Sequence, residues 1–370
     1  METSQEPTRE CVPPPLEKET AKAEKSNFQL ASDSITERLG LEKIESFSLH
    51  SLFSEVFKHH NPDDVENLLS VGTSASTPPL NASMGSLPTP WIFFRVLLGS
   101  LAAYMIFVLA WQEFANPNLL PGLIMIGSFA VPFSTLIFFF EINSPRNVSM
   151  IRVIQLLFIG GAMSLLLSLV LFEATPFLGA FGAPAAGIVE ESGKLAAVLI
   201  GLRFIPLGRY PYRLNALLFG AAVGTGFAAF ESAGYALVSG LEAGDTLMLE
   251  TITLRGVLSP FSHIVWTAIA TSAYWKCRKC HSDIWTTLSD SRFLLLFAAP
   301  VALHTVWNMD FTGPFLSKFA ALGFVAWVII ISLIQTGIKE IRIAAEVGLE
   351  SAEPKPAPKA KKATTQSRSK

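Results

Sequence analysis

A succession of apolar stretches, each close to the length needed to cross a bilayer, fills the chain from residue 91 to residue 336 and decides its fold class. Crossing a hydrocarbon core takes about 20 apolar residues in a helix, because no water is available there and the backbone must satisfy its own hydrogen bonds. The stretches are read at 91–111, 119–140, 151–172, 184–205, 214–239, 256–275, 292–309 and 314–336, and a Pro- and Gly-rich piece, 175–183, reads as an interfacial or re-entrant lead-in to the fourth. The predicted fold is all-α, a polytopic transmembrane bundle of about eight spans. Charged residues form only 16% of the chain, well below the roughly 25% of a soluble domain.

Both flanks are polar. In region 1–90 the first part is rich in Glu, Lys, Ser, Thr and Pro, lacks the apolar residues that would offset ordering entropy, and is expected to be disordered. From Leu41 on, Ile44, Phe47, Phe53, Val56 and Phe57 recur at helical intervals, and Asn61-Pro62-Asp63-Asp64 has the pattern of a cap, an N1 proline and an acidic first turn, so short amphipathic helices are expected. The transmembrane domain, 91–338, is followed by a tail, 339–370, that begins as a helix and ends Pro/Ala/Lys-rich, basic and disordered. Arg146, Arg152, Arg203, Arg209, Arg213, Lys276, Arg278, Lys279 and Arg292 fall in one set of loops, against Arg255 and Lys318 in the other. The basic set is cytoplasmic by the positive-inside rule, which places both termini there too.

Within the spans, ionisable groups are few: Glu190, Glu191 and Lys194 on the fourth, Glu231 on the fifth, His263 on the sixth, His304 with Asn308 on the seventh. Such groups are costly in a bilayer and usually face a wet cavity or do chemistry. Counted from the extracytoplasmic ends, Glu190, Glu231, His263 and His304 all lie roughly 8–12 Å deep. Four helices thus offer carboxylates and imidazoles in one layer, suited to a metal or to acid–base chemistry on water. Lys194 stands at i+4 from Glu190 and i+3 from Glu191, so the amine can neutralise one carboxylate and leave the other to act. Phe227 and Glu231 share a face, as do His304 and Asn308. A proton- or ion-coupled transporter, or a non-enzymatic scaffold, would use the same residue types.

Other chemistries lack their signatures. The chain has no His-Glu-x-x-His and no Gly-x-Ser-x-Gly. Cys277-Arg-Lys-Cys280-His281 has the spacing of a haem-attachment motif, but its basic loop is cytoplasmic, where thiols are expected to stay reduced.

Glu190-Glu191-x-x-Lys194, Phe227-x-x-x-Glu231 and the single histidines His263 and His304 resemble the PrsW family of intramembrane proteases, related to the CAAX prenyl endopeptidases and bacteriocin-immunity membrane proteins. Leu195 and Glu231 stand where the CAAX group has arginine and histidine, so the likeness is to PrsW over residues 150–310. The resemblance implies a peptidase of the bacterial cytoplasmic membrane that makes a site-one cut, extracytoplasmically, in a single-span, anti-sigma-factor-like protein; no nucleic-acid partner is expected. It makes Glu190 or Glu191 the base, with Glu231, His263 and His304 holding a metal, zinc by donor type, or positioning water without one. Lys194, Phe227 and Asn308 would support them.

Overall fold

The computed structural model describes residues 26–44, 48–80, 88–203, 207–281 and 283–352. Among them there is no strand. The α-helices are α1 (Asn27–Arg38), α2 (Leu49–Leu52), α3 (Pro62–Leu69), α4 (Ile92–Phe114), α5 (Leu120–Ile142), α6 (Met150–Gln155), α7 (Gly161–Ala174), α8 (Ala186–Leu202), α9 (Arg213–Ala243), α10 (Asp245–Leu258), α11 (His263–Cys277), α12 (Ile284–Ser289), α13 (Ser291–Trp307) and α14 (Phe315–Ala352). A π-helical turn, Leu156–Gly160, joins α6 to α7.

Five helical segments among the described residues are long and apolar enough to cross a membrane: Ile92–Phe114, Pro117–Ile142, Met150–Ala174, Arg213–Ala243 and Leu316–Val347. The chain is a multi-pass membrane protein. The other three expected spans are helical but short, with 17 residues in α8, 15 in α11 and 17 in α13. At 1.5 Å per residue these fall below the roughly 30 Å hydrocarbon thickness. The 3₁₀ turns Pro176–Phe181 and Ala183–Ala185 precede α8, and Ser259–Phe261 interrupts the expected sixth span just before α11. Pro176–Phe181 buries no residue, whereas the turns next to α8 and α11 bury Ala185 and Ser259, and irregular backbone is tolerated at membrane depth where protein surrounds it.

Helix α9 is the axis of the bundle: 83% of its apolar window is buried, against 6% for α4 at the periphery. It packs against α5, α7, α10 and α11. Between the expected fifth and sixth spans the chain is mostly helix, as α10, which buries Met248, Ile252 and Gly256. The N-cap of α4 is Trp91, whose side chain supplies no capping oxygen. Glu141, at the end of α5, takes that part by accepting from the N–H groups of Trp91 (2.8 Å), Ile92 (2.9 Å) and Phe93 (2.8 Å). It satisfies donors that a helix start otherwise leaves orphaned.

The polar N-terminal region is not wholly irregular. Helix α1 forms where disorder was expected, because Ser26 and Gln29 cap it reciprocally and Phe28 packs edge-on against Phe324 of α14 at 5.7 Å. The expected cap of α3 is present, with the Asn61 N–H donating to Asp64 Oδ2 at 2.8 Å. Ser332 of α14 donates to the Glu42 carbonyl at 2.6 Å, and Lys339 pairs with the Glu42 carboxylate at 3.0 Å. Residues 1–25 and the tail beyond 352, both expected to be disordered, lie outside the described residues. Cys277 is a buried free thiol.

Candidate active site

Two close backbone approaches set the helices that carry the site. A Cβ on Gly224 would lie 2.6 Å from the His263 carbonyl oxygen, so only glycine lets the first residue of α11 rest on α9. A Cβ on Gly226 would lie 2.0 Å from the Leu157 carbonyl, which fixes α9 against the π turn. Small residues are the usual means of bringing membrane helices together, since no hydrophobic force drives apolar helices out of lipid.

Glu190, Glu191 and Lys194 project from the first half of α8. The Lys194 ammonium is fully buried and lies 2.6 Å from Glu191 Oε1, but 3.7 Å from Glu190 Oε2. The pairing is therefore with Glu191. Lys194 also donates to His263 Nδ1 at 2.9 Å and stands 4.2 Å from the centroid of the Phe227 ring. Phe227 thus supports the site through its ring face, an electrostatic contact strengthened by desolvation.

His263 faces Glu231 on its other side, with Nε2 3.1 Å from Glu231 Oε2. The same carboxylate oxygen takes the Arg255 guanidinium of α10, whose Nε donates to Ser232 Oγ at 2.9 Å and whose charge lies 4.4 Å from the Tyr235 ring centroid. His304 of α13 lies at the bottom. Its Nδ1 donates to Glu191 Oε1 at 2.9 Å, and its Nε2 faces Glu190 Oε2 at 3.7 Å. The Trp266 indole stacks on His304, with centroids 4.6 Å apart, and meets the His263 ring edge-on at 5.1 Å.

Three carboxylates therefore share two basic side chains, Lys194 closest to Glu191 and Arg255 closest to Glu231. Glu190 is the carboxylate left over, and its buried Oε2 has no hydrogen-bond partner. A buried acceptor without a donor is costly. Glu190, His263 and His304 each place one ligand atom within 4.8 Å of the others. One carboxylate oxygen and two imidazole nitrogens are donors that fit a divalent cation.

Of the residues expected at the site, Glu190, Glu191, Lys194, Phe227, Glu231, His263 and His304 come together. Asn308 does not: it follows α13, and its amide donates to the Ala183 carbonyl at 3.3 Å. The carboxylate gathered with both histidines is Glu190, while Glu231, expected among the metal-holding residues, is engaged by Arg255. Arg255 and Trp266 were missed. Arg255 was legible as one of two cations, with Lys318, in the set of connections opposite the basic loops, and Trp266 as the residue one turn on from His263.

The model of the family described as PrsW family intramembrane metalloprotease matches residues 87–334. No curated protein and no solved structure matches the chain.

Proposed function

Because the chain belongs to the PrsW family of intramembrane metalloproteases, and is thereby a peptidase, we propose that it cleaves a single-span membrane protein with Glu190 as the general base. One observation carries this reading: Glu190 is gathered with His263 and His304 within 4.8 Å, and its buried oxygen has no hydrogen-bond partner. A carboxylate so placed can take the proton of an attacking water, a contribution typically worth about 10²–10⁴-fold in rate.

His263 and His304 would hold a divalent cation with Glu190 beside it as the base, zinc by the nature of the donors, and such a cation would lower the pKa of water to about 7 and polarise a carbonyl. The other residues position these three. Glu191 accepts from His304 Nδ1, which leaves the lone pair of that ring on Nε2, the atom facing Glu190. Lys194 neutralises Glu191 inside the bundle. Arg255 holds Glu231 against His263 at the more exposed rim, so a peptide reaching Glu190 meets this ion pair first.

The site lies toward the starts of α8 and α11 and the end of α13. With basic loops cytoplasmic and the three short helices counted as crossings, that end is extracytoplasmic, both termini are cytoplasmic, and the membrane is the bacterial inner membrane. The substrate is then an anti-sigma-factor-like protein cut at site one on its outer side.

The test is cleavage of a single-span substrate by the full chain in liposomes. Glu190→Gln is expected to slow cleavage by about 10²–10⁴-fold. His304→Ala should abolish it, and a chelator should stop it until zinc is restored. Cleavage that survives both replacements overturns the reading.

A further inference from the structure

The Lys194 ammonium has three donors and no acceptor, so at 2.9 Å from His263 Nδ1 it can only donate, and Nδ1 must present the lone pair of the ring. A neutral imidazole has one lone pair and one N–H, which puts the proton on Nε2, the atom that faces Glu231 Oε2 at 3.1 Å. Both nitrogens of His263 are thereby occupied. His304 is arranged differently, because its Nδ1 donates to Glu191 and its lone pair, on Nε2, points toward the orphaned Glu190 oxygen. Of the three groups that gather, Glu190 and His304 have an electron pair to give. The third pair, on His263, is held by Lys194.

We propose that Lys194 is a built-in competitor for the metal: the Nδ1 lone pair of His263 holds either the ammonium or a divalent cation, and never both. The inference rests on the metal-dependent reading given above. The exchange is reversible because the ammonium has other partners to fall back on, Glu191 now at 2.6 Å and the Phe227 ring face at 4.2 Å. Lys194 therefore supplies the positive charge of the site in the metal-free state and withdraws to its own counter-ion when a cation takes over. His263 changes partner while Glu191, Lys194 and Phe227 remain together.

The experiment is zinc titration by calorimetry of the full chain in nanodiscs, which needs no substrate. Lys194→Met alone would strand the buried Glu191 charge, so the decisive variant is the double replacement Glu191→Gln with Lys194→Met. It removes the pair together and leaves a side-chain carbonyl to accept from His304. The double variant, shown to be folded by its thermal transition, should bind zinc more tightly than wild type by about tenfold, equivalent to about 1.4 kcal/mol. Lys194→Arg, which retains a cation, should show no such gain. In wild type, zinc should move the ¹⁵N signal of His263 Nδ1 while the Lys194 signal stays that of a paired ammonium. Zinc binding by wild type with equal or weaker binding by the folded double variant overturns the competitor alone. Absence of zinc binding in both overturns the metal-dependent reading and this inference with it.

Discussion

Lys194 and Glu191 stand 2.6 Å apart on one turn of α8, both side chains shut off from solvent. Removing one partner of a buried pair leaves an uncompensated charge and typically costs about 3–5 kcal/mol, whereas removing both is often nearly neutral. Glu191→Ala is expected to lower the stability of the reconstituted protein by about that amount. The double replacement Glu191→Gln with Lys194→Met should lose much less. Thermal unfolding in nanodiscs checks both, and equal losses would show that the two groups are not coupled.

Glu141 should hold α4 to the bundle. It accepts three N–H groups at the start of a helix whose apolar window is otherwise almost unburied. A hydrogen bond to a charged group contributes about 1.5–3 kcal/mol. Glu141→Ala is expected to speed amide exchange at Trp91, Ile92 and Phe93 while leaving the amides of α9 protected. Unchanged exchange at those three positions would show that α4 is held by packing alone.

Gly226 admits no larger residue. An added methyl would meet the Leu157 carbonyl at 2.0 Å and Gly161 Cα at 2.8 Å, both backbone atoms that cannot turn aside. Gly226→Ala is expected to destabilise the protein by about 1–3 kcal/mol, the usual cost of overpacking. It should also impair cleavage, because Phe227 and Glu231 lie on the same helix. A variant with wild-type melting temperature and activity would contradict the close approach of α9 to the π turn.

Asp290, which caps α13 outside the membrane, ties stability to pH. The Arg292 guanidinium, helped by the His281 imidazole, holds its carboxyl well below the usual carboxylate range. A depressed acid contributes stability above its unfolded value, about 3.9, and loses that contribution as pH falls further. Asp290→Asn should therefore lower the melting temperature at pH 7 and lower it less at pH 3. A difference that grows on acidification would reverse the assignment.

Much of this protein is legible in its sequence for one physical reason. Lipid offers the backbone no hydrogen-bond partners and penalises charge, so apolar length declares helices, and Glu190, Glu191, Lys194, Glu231, His263 and His304 stand out as a set. Helical spacing also foretold that Lys194 would neutralise one glutamate. It could not say which, because residues at i+3 and i+4 are both within reach and the choice depends on what packs around α8. The fold decides for Glu191 by setting His263 and Phe227 beside the ammonium.

The other outcomes were decided in the same way. Arg255 joins the site because Leu241–Gly256 folds largely as α10 and returns along α9, a contact between segments that no local pattern encodes. Asn308 leaves it because α13 ends one residue earlier, which turns the amide toward Ala183. The 3₁₀ turn at Ser259–Phe261 makes His263 the first residue of its helix rather than one within a continuous span. The sequence alone marked out which ionisable groups stand in apolar, membrane-spanning surroundings, since that follows from solvation. Only the tertiary structure decided which nitrogen meets which oxygen, since that depends on helix rotation and helix breaks set by packing.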